Sequence, residues 1–380
     1  MSVSLSHGGL TVYTGSATSQ ELLVGTVEGV AVLRHDGSGN WEVAHRALED
    51  HHIHALTFEP VSGTWFAGAY RTGIFASVDN GRTWELRNTG LDVTSVFSVA
   101  TVALPSGVRV YAGTEPAHLY FSDDLGAHWS ELPALLTAPS LPKWRFAAEP
   151  FAAHTKHISF APGNPVTLYV SVEVGGLHKS TDGGQTFREL TVPHLDAHRT
   201  IVHPHNPERV YLSGGIGVYE SPDGGETWEQ LLSKGNHIGE YPDLMVYLPS
   251  NPDTMFLCAS RKGPRSWIEE HEVAGGQIAR SDDGGRTWQS CMNGIPDRFH
   301  GSIEAFVLEE AAGVVSLFAA TTDGEVVWSS DEGRNWRSIA HLAPVSKSVH
   351  AEMMQGGGAT PLKFPDGSMI INGKRIPAPA

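Results

Sequence analysis

One short motif recurs along the chain and constrains its fold more than any other feature. Each copy has a serine, an aspartate two residues later, a glycine two residues after that, and then an aromatic residue. The six clear copies are SVDNGRTWEL from Ser77, SDDLGAHWSE from Ser122, STDGGQTFRE from Ser180, SPDGGETWEQ from Ser221, SDDGGRTWQS from Ser281 and SSDEGRNWRS from Ser329. A weaker seventh copy, RHDGSGNWEV, begins at Arg34.

The spacing of the copies predicts the architecture. Their aspartates are separated by 43, 45, 58, 41, 60 and 48 residues. A period in the forties, with several short apolar segments in each unit, is typical of a β-propeller, in which each blade is stabilised by packing on its neighbours. The sequence therefore predicts an all-β, seven-bladed propeller of four-stranded antiparallel blades over residues 1–345. Residues 346–380 are predicted to be a C-terminal tail or hairpin that packs on the propeller.

The first unit lacks a clear innermost strand. Its recognisable part begins at ELLVGTVEGVAVLRHDG, with no apolar segment of the expected kind directly before it. Either LTVYTG near the N-terminus or a segment around KSVHAEMM in the tail would complete the blade and close the ring. We favour the N-terminal candidate.

The motif Ser-x-Asp-x-Gly-x-Thr-Trp resembles the Asp-box, or BNR repeat, of sialidases, sortilin-type receptors, xyloglucanases and a photosystem assembly factor. The resemblance extends over about residues 20–340. It implies that each copy forms a hairpin between the third and fourth strands of a blade. An aspartate that accepts backbone N–H bonds, a glycine with positive φ and a packed tryptophan suit such a turn. We therefore interpret the six aspartates as structural, since an enzyme needs one constellation and not six equivalent copies. Asp-box proteins include hydrolases, receptors and scaffolds, so the repeat does not specify a function.

Charge and cysteine content limit the partners and the compartment. The chain has 42 acidic and 26 basic residues, a formal net charge of −16, which repels nucleic-acid phosphates and anionic membranes. We therefore expect no nucleic-acid or membrane partner. Only two cysteines are present, and the N-terminus MSVSLSHGGL lacks the pattern of a secretion signal. These features predict a cytoplasmic protein.

Histidines occur where the innermost strands are predicted to begin, next to the central axis. His54, His157 and His198 hold such positions in three different units. Imidazoles that converge from several blades suit Zn, Mn or Fe, so these three residues are predicted to bind one divalent metal. A register change of one residue would turn His157 away from the axis and put Lys156 in its place.

Carboxylates and arginines are expected near the same end of the axis. Glu173 and Asp243 are predicted to orient a metal ligand or to accept a proton, and Arg71, Arg199 and Arg261 are predicted to hold a substrate carboxylate. The two long insertions, LPALLTAPSLPKWRFAAEPFAA and SRKGPRSWIEEHEVAGGQ, fall on this face as well, where binding loops commonly lie.

The sequence favours a cytoplasmic, metal-dependent hydrolase or lyase that acts on a small polar or anionic molecule. Two alternatives remain open. The first is a sialidase-like, glycan-active propeller, with Trp144 and Trp267 as stacking platforms and Glu173 and Glu304 as paired carboxylates. The second is a non-enzymatic scaffold that binds a protein partner through the same face.

Overall fold

The computed structural model describes residues 2–146, 151–264 and 273–345, together with three short strands of the C-terminal segment. Within these residues the strands form seven blades arranged as a β-propeller, which confirms the predicted all-β fold. Six blades are four-stranded sheets and the seventh carries one additional strand. Each of blades 2 to 6 follows chain order from its innermost to its outermost strand.

The strand bounds are as follows. The N-terminal segment forms β1 (Ser2–Leu5) and β2 (Val12–Gly15), and blade 1 continues with β3 (Glu21–Thr26), β4 (Gly29–His35) and β5 (Trp41–Ala47). Blade 2 comprises β6 (Ile53–Glu59), β7 (Thr64–Ala69), β8 (Gly73–Ser77) and β9 (Glu85–Leu86). Blade 3 comprises β10 (Val96–Leu104), β11 (Gly107–Thr114), β12 (Leu119–Ser122) and β13 (Ser130–Glu131). Blade 4 comprises β14 (His154–Ala161), β15 (Asn164–Glu173), β16 (Gly176–Ser180) and β17 (Arg188–Leu190).

The second half of the ring follows the same plan. Blade 5 comprises β18 (Ala197–Val202), β19 (Val210–Gly214), β20 (Gly217–Ser221) and β21 (Glu229–Ser233). Blade 6 comprises β22 (Tyr241–Leu248), β23 (Asn251–Ser260), β24 (Gln277–Ser281) and β25 (Gln289–Ser290). Blade 7 comprises β26 (Ile303–Ala311), β27 (Val314–Thr321), β28 (Glu325–Ser329) and β29 (Arg337–His341). Two short 3₁₀ helices, Pro133–Thr137 and Leu141–Lys143, lie between blades 3 and 4. No helix of the described residues is long and apolar enough to cross a membrane.

The N-terminal segment closes the ring, although not with the segment that the sequence favoured. β1 pairs in parallel with β3 and is the innermost strand of blade 1, whereas β2, from the LTVYTG segment, pairs in parallel with β26 of blade 7. The residues between them turn at the axis. A Cβ on Gly8 would lie 1.8 Å from the Phe97 carbonyl oxygen, and one on Gly9 would lie 1.8 Å from the Leu56 carbonyl oxygen. Only glycine allows this close approach between backbones.

Apolar clusters fill the spaces between adjacent blades. One cluster joins blades 7 and 1 through residues such as Leu22 and Phe318, and another joins blades 6 and 7 through residues such as Phe256 and Phe306. The first residues of each innermost strand are almost entirely buried. The ring is therefore a continuous core that holds the axial side chains in fixed positions.

The six clear repeats form equivalent turns between the third and fourth strands of blades 2, 3, 4, 5, 6 and 7. In blade 5, the Ser221 hydroxyl donates to Asp223 Oδ1 at 2.8 Å and accepts the Gly225 N–H at 2.7 Å. Asp223 also accepts the backbone N–H of Thr227 at 2.8 Å. The same serine–aspartate bond measures 2.8 Å in all six turns. We call them the repeat turns.

The predicted tail, residues 346–380, lies largely outside the described residues. Within it the structure describes β30 (Leu362–Lys363), β31 (Met369–Ile371) and β32 (Lys374–Ile376), which form a small antiparallel sheet of their own.

Candidate functional site

Six innermost strands carry a β-bulge near the end at which they begin. We call this end the upper face, and the end next to the repeat turns the lower face. A bulge leaves one residue without a partner on the neighbouring strand and re-aims its side chain. The residues at the bulges of blades 2 to 7 are His54, Phe97, Lys156, His198, Asp243 and Glu304. All six are buried.

Several of these bulge residues contact one another. The His54 ring stacks on Phe97 with ring centroids 4.1 Å apart, and Lys156 Nζ lies 3.2 Å from Asp243 Oδ2. The ring of bulges thus has an aromatic side, in blades 2 and 3, and a charged side, in blades 4 to 7. We call the buried polar groups of the charged side and their neighbours the axial cluster.

The N-terminal turn adds His7 to the axial cluster. His7 Nδ1 lies 3.0 Å from the Glu304 carbonyl oxygen and 3.3 Å from Glu304 Oε2. Arg199, which is fully buried, donates from Nη2 to the His7 carbonyl at 2.7 Å. Burial lowers the pKa of His7, so this imidazole is neutral at ordinary pH. The turn therefore inserts a neutral histidine between blades 5 and 7.

Lys156 occupies the centre of the charged side. Its Nζ lies 2.9 Å from Glu173 Oε2 and 3.2 Å from Asp243 Oδ2, and all three side chains are buried. Such a group is stable only when the opposite charges remain together, because an unpaired buried charge is costly. Lys156 therefore links blade 4 to blade 6 through an internal ion pair.

His154 binds the other side of the same carboxylate. Its Nε2 lies 2.8 Å from Glu173 Oε2, and its Nδ1 lies 3.5 Å from Glu115 Oε2. Burial opposes protonation, but the carboxylates of Glu173 and Glu115 outweigh it and raise the pKa of His154. The second nitrogen of this histidine thus holds Glu115 of blade 3 against blade 4.

His198 directs Nε2 toward two carboxylates. Its Nδ1 lies 2.9 Å from the Pro242 carbonyl, which cannot donate, so Nδ1 carries a proton and Nε2 is the lone-pair nitrogen of the neutral ring. That Nε2 lies 3.3 Å from Asp196 Oδ1 and 3.9 Å from Glu173 Oε1. Neither His198 Nε2 nor Asp196 Oδ1 makes a hydrogen bond to a described residue. Two unsatisfied atoms that face each other at 3.3 Å, His198 Nε2 and Asp196 Oδ1, require a proton or a cation between them.

A second group of ligand atoms lies at the N-terminal turn. His7, Asp243 and Glu304 are all buried and place one ligand atom each within 4.8 Å of the others. The guanidinium of Arg199 and the ammonium of Lys156 already supply positive charge here, the first bonded to His7 and the second to Asp243. This group therefore already contains two cations of the protein, of which Lys156 is shared with Glu173.

The first insertion packs on blade 4 beside the axial cluster. Phe146 packs edge-on against His154 with ring centroids 5.3 Å apart. Trp144 donates from its indole to Ser140 Oγ at 2.7 Å and packs on His178, so its ring is engaged within the protein. Asp196 is the residue of its group that reaches solvent, with 20% of its side chain exposed. Residues 265–272 of the second insertion, including Trp267, lie outside the described residues.

The three predicted metal-binding histidines do not form one ligand set. Among the described residues, the sets whose ligand atoms lie within 4.8 Å of one another are His7, Asp243 and Glu304, and Glu173, Asp196 and His198. His54 stacks on Phe97, while His157 lines a cavity below the axial cluster. The bulge in β14 is the physical reason for the second difference, because Lys156 takes the axial position and His157 lies one residue further along the strand.

The predicted carboxylates come together and the predicted arginines do not. Glu173 and Asp243 both contact Lys156. Arg199 is buried within the axial cluster, Arg71 lies over the Tyr70 ring at 5.0 Å, and Arg261 is exposed after β23. The arginines therefore do not form a single site for a substrate carboxylate.

Several residues of the site were not selected from the sequence, and most of them carried a signal. Residues two positions before a bulge lie on the same side of the strand as the bulge residue, which holds for His154 and Asp196. Tyr241 has the same spacing before Asp243, and its hydroxyl lies 3.4 Å from Glu173 Oε1. His7 had no such signal, since it lies outside the repeats.

Comparison with known proteins supports the fold alone. No protein-family model matches the chain, and no curated protein matches it. Among solved structures, an ancestral GH74 enzyme is 16% identical with a TM-score of 0.57, over 73% of this chain and 36% of that chain. YCF48 from Cyanidioschyzon merolae is 13% identical with a TM-score of 0.55, over 83% of this chain and 97% of that chain. The chain thus spans about a third of the GH74 enzyme's length and nearly all of YCF48.

Proposed function

We propose that the protein is a metal-dependent hydrolase or lyase that holds a divalent cation between Glu173, Asp196 and His198 and acts on a small polar molecule. The observation that carries the proposal is the convergence of His198 Nε2 and two carboxylate oxygens at the axis, with Asp196 Oδ1 and His198 Nε2 unsatisfied by any described residue. A carbonyl that fixes the histidine tautomer is the usual support of a metal-binding imidazole.

The distances suit a single ion. Ligand atoms about 2.0–2.2 Å from one cation stand about 3–4 Å from each other. His198 Nε2 lies 3.3 Å from Asp196 Oδ1 and 3.9 Å from Glu173 Oε1. One imidazole and two carboxylates suit Zn²⁺, Mn²⁺ or Fe²⁺.

The surrounding residues supply what such a reaction needs. A bound cation would act as a Lewis acid toward a substrate oxygen. Lys156, fixed between Glu173 and Asp243, stabilises negative charge that develops beside it. Asp243, the other carboxylate bonded to Lys156, is placed to accept a proton. The buried surroundings and the exposure of Asp196 favour a small substrate that enters beside that residue.

The repeat turns and the cysteines support two further parts of the proposal. We propose that the repeat turns are Asp-boxes, which is supported by the same serine–aspartate hydrogen bond in six blades. We also propose a cytoplasmic location, supported by the net charge of −16 and by the free state of Cys258 and Cys291.

The glycan-active alternative receives less support. Its stacking platform Trp144 is packed against His178 and bonded to Ser140. Its carboxylate Glu304 binds the Ser302 hydroxyl at 2.7 Å and faces His7. The axial cluster favours metal chemistry over glycan binding, and no described feature favours a scaffold in its place.

Metal content measured on protein without a histidine tag tests the proposal. We expect about one Zn, Mn or Fe per chain in the wild-type protein by elemental analysis, and loss of that metal in His198→Gln. The matched control is His300→Gln, since His300 is 78% exposed on the same face. That variant should keep the metal. The metal-loaded protein should catalyse hydrolysis of, or an elimination reaction on, at least one compound from a panel of small esters, lactones and phosphate esters. A chelator should abolish this activity.

One result would contradict the metal-dependent function. If the wild-type protein contains no metal and its melting temperature does not change with added Zn²⁺, Mn²⁺ or Fe²⁺, then a proton on His198 balances the two carboxylates. The metal-dependent function is then wrong.

A further inference from the structure

A cavity lies on the axis below the axial cluster. Its volume is about 210 Å³, so it can hold several water molecules. It is lined by the later parts of the innermost strands and by the N-terminal segment after its turn, through residues that include Leu10, Thr57, His157, Ser159, Thr200 and Tyr247. Leu10 is 41% exposed, so the cavity opens to solvent beside it. We call this space the lower cavity.

The lower cavity is uncharged. None of the described residues that line it is Asp, Glu, Lys or Arg. Burial and the neighbouring Arg199 guanidinium hold the pKa of His157 well below its usual range, so its imidazole is neutral. The cavity therefore differs from the axial cluster, which is built from charged side chains, and from the rest of this strongly acidic protein.

Polar atoms remain unsatisfied among these residues. Neither His157 Nδ1 nor Ser159 Oγ makes a hydrogen bond to a described residue. Both belong to β14, and both lie on one side of that strand because they are two positions apart. Both atoms are shielded from solvent in this structure, so a ligand would bond to them after the side chains rotate toward the cavity. Together with the apolar surface of Leu10 and Ile201, these two side chains give the cavity the few polar groups and apolar walls of a ligand pocket.

The walls also include sheet edges. β10, β14 and β18 are each the innermost strand of their blade, so one backbone edge of each faces the axis. The N-terminal segment already uses such edges, since the Val99 N–H donates to the Gly8 carbonyl at 3.1 Å and the Leu308 N–H to the Thr11 carbonyl at 2.9 Å. An amide group bound in the cavity would find the same kind of partner.

We propose that the lower cavity is a second binding site, separate from the axial cluster, for a small uncharged molecule that carries an amide group and an apolar side chain. The amide pairs with the backbone edges of β14 and β18, the apolar group packs on Leu10 and Ile201, and His157 and Ser159 supply the remaining hydrogen bonds. The size of the cavity restricts the ligand to about one capped amino acid.

A pair of probes tests the chemical class. N-acetyl-L-leucinamide is an uncharged amide of this size, and N-acetyl-L-leucine differs from it by a carboxylate. Ligand-detected NMR titration of the full chain should show binding of the amide with a Kd of about 1 mM or lower, and binding of the acid at least about tenfold weaker. Equal binding of both probes, or of neither, would overturn the proposal.

Three variants locate the binding. Leu10→Trp narrows the opening at an exposed position and should weaken amide binding at least about tenfold, and His157→Phe should weaken it while keeping a ring of similar size. His300→Phe on the upper face should leave it unchanged. His198→Gln should also leave it unchanged, which separates this site from the proposed metal site. Binding that survives Leu10→Trp and His157→Phe lies elsewhere, and the proposal then fails.

Discussion

The repeat turns at the rim and the bulges at the axis both recur from blade to blade. The repeat turns share their residues, whereas the bulges share only a backbone position. Each repeat turn has the same serine, aspartate and glycine, and the same hydrogen bond of 2.8 Å between serine and aspartate. The six bulges share a backbone position, yet they carry histidine twice and phenylalanine, lysine, aspartate and glutamate once each.

The difference indicates where function lies. A turn that must form in every blade requires the same residues in every blade, and its polar groups satisfy one another. A site on the axis needs different groups that converge once, and these are what the bulges supply. In this propeller, identical residues at equivalent positions form the repeat turns, and different residues at equivalent positions form the candidate site.

The largest effect is expected from Glu173→Leu. The substitution leaves Lys156 and His154 buried beside a missing carboxylate, so we expect a loss of about 3–5 kcal/mol in the free energy of unfolding. Chemical denaturation measures it. The double variant Glu173→Leu, Lys156→Met should recover part of the loss because it removes the unpaired ammonium. Glu85→Gln is the control, since this glutamate is 72% exposed, and should have little effect. If Glu173→Leu is no more destabilising than Glu85→Gln, the axial cluster is not an internal ion-pair group.

His154→Gln should have a smaller effect that depends on pH. The pKa of His154 is raised in the folded protein, so its bond to Glu173 stabilises fully below the unfolded value near pH 6.5 and less as pH rises through the folded pKa. We expect the variant to lose about 2–3 kcal/mol at pH 6. The difference from wild type should shrink toward pH 9 in urea unfolding. A difference that grows with pH would contradict the charge assigned to His154.

At the rim, Ser221→Ala should cost about 1–2 kcal/mol. The change removes a buried hydroxyl that accepts the Gly225 N–H and donates to Asp223. Thermal unfolding measures the effect, and Ser233→Ala at an exposed position is the matched control. Metal content should be the same in both variants. Loss of metal in Ser221→Ala would contradict the separation between a structural role for the repeat turns and metal binding at the axis.

Asp223→Asn should give the smallest effect, and only in acid. Hydrogen bonds from the Thr227 side chain and backbone lower the pKa of Asp223 to about 2 from an ordinary value of 3.8. Its ionised form therefore stabilises the turn above about pH 4, and this contribution is lost as pH falls toward 2. The unfolding midpoints of the variant and the wild type should differ above pH 5 and converge near pH 2. A constant difference would show that the charge of Asp223 does not matter.

The repeats made the fold predictable. Each of the seven motif copies suits a turn between two antiparallel strands, so their number predicts the number of blades. The closing strand was harder to identify. β1 is only four residues long, and LTVYTG, which has the better strand pattern, pairs with blade 7 as a fifth strand. A short strand held mainly by its neighbours carries little sequence signal of its own.

The sequence predicted which end of the axis carries the candidate site, but not which residue of each innermost strand lies at the axis. Glu173, Asp243 and His198 do meet at the upper end of the axis. His157 does not meet them, because a bulge adds one residue to β14 and brings Lys156 to the axis in its place. Bulges depend on the packing of the inner strands, so the sequence of a single strand does not reveal them. The N-terminal turn that delivers His7 depends on the complete ring for the same reason.

Anomalous X-ray diffraction from crystals grown with Zn²⁺ or Mn²⁺ is the most direct test of the metal site. We expect one strong anomalous peak on the axis, about 2.0–2.2 Å from His198 Nε2 and from carboxylate oxygens of Asp196 and Glu173. A map with no peak there, and with His198 Nε2 within direct hydrogen-bonding distance of Asp196, would show that a proton lies between these two groups and would contradict the proposed metal site.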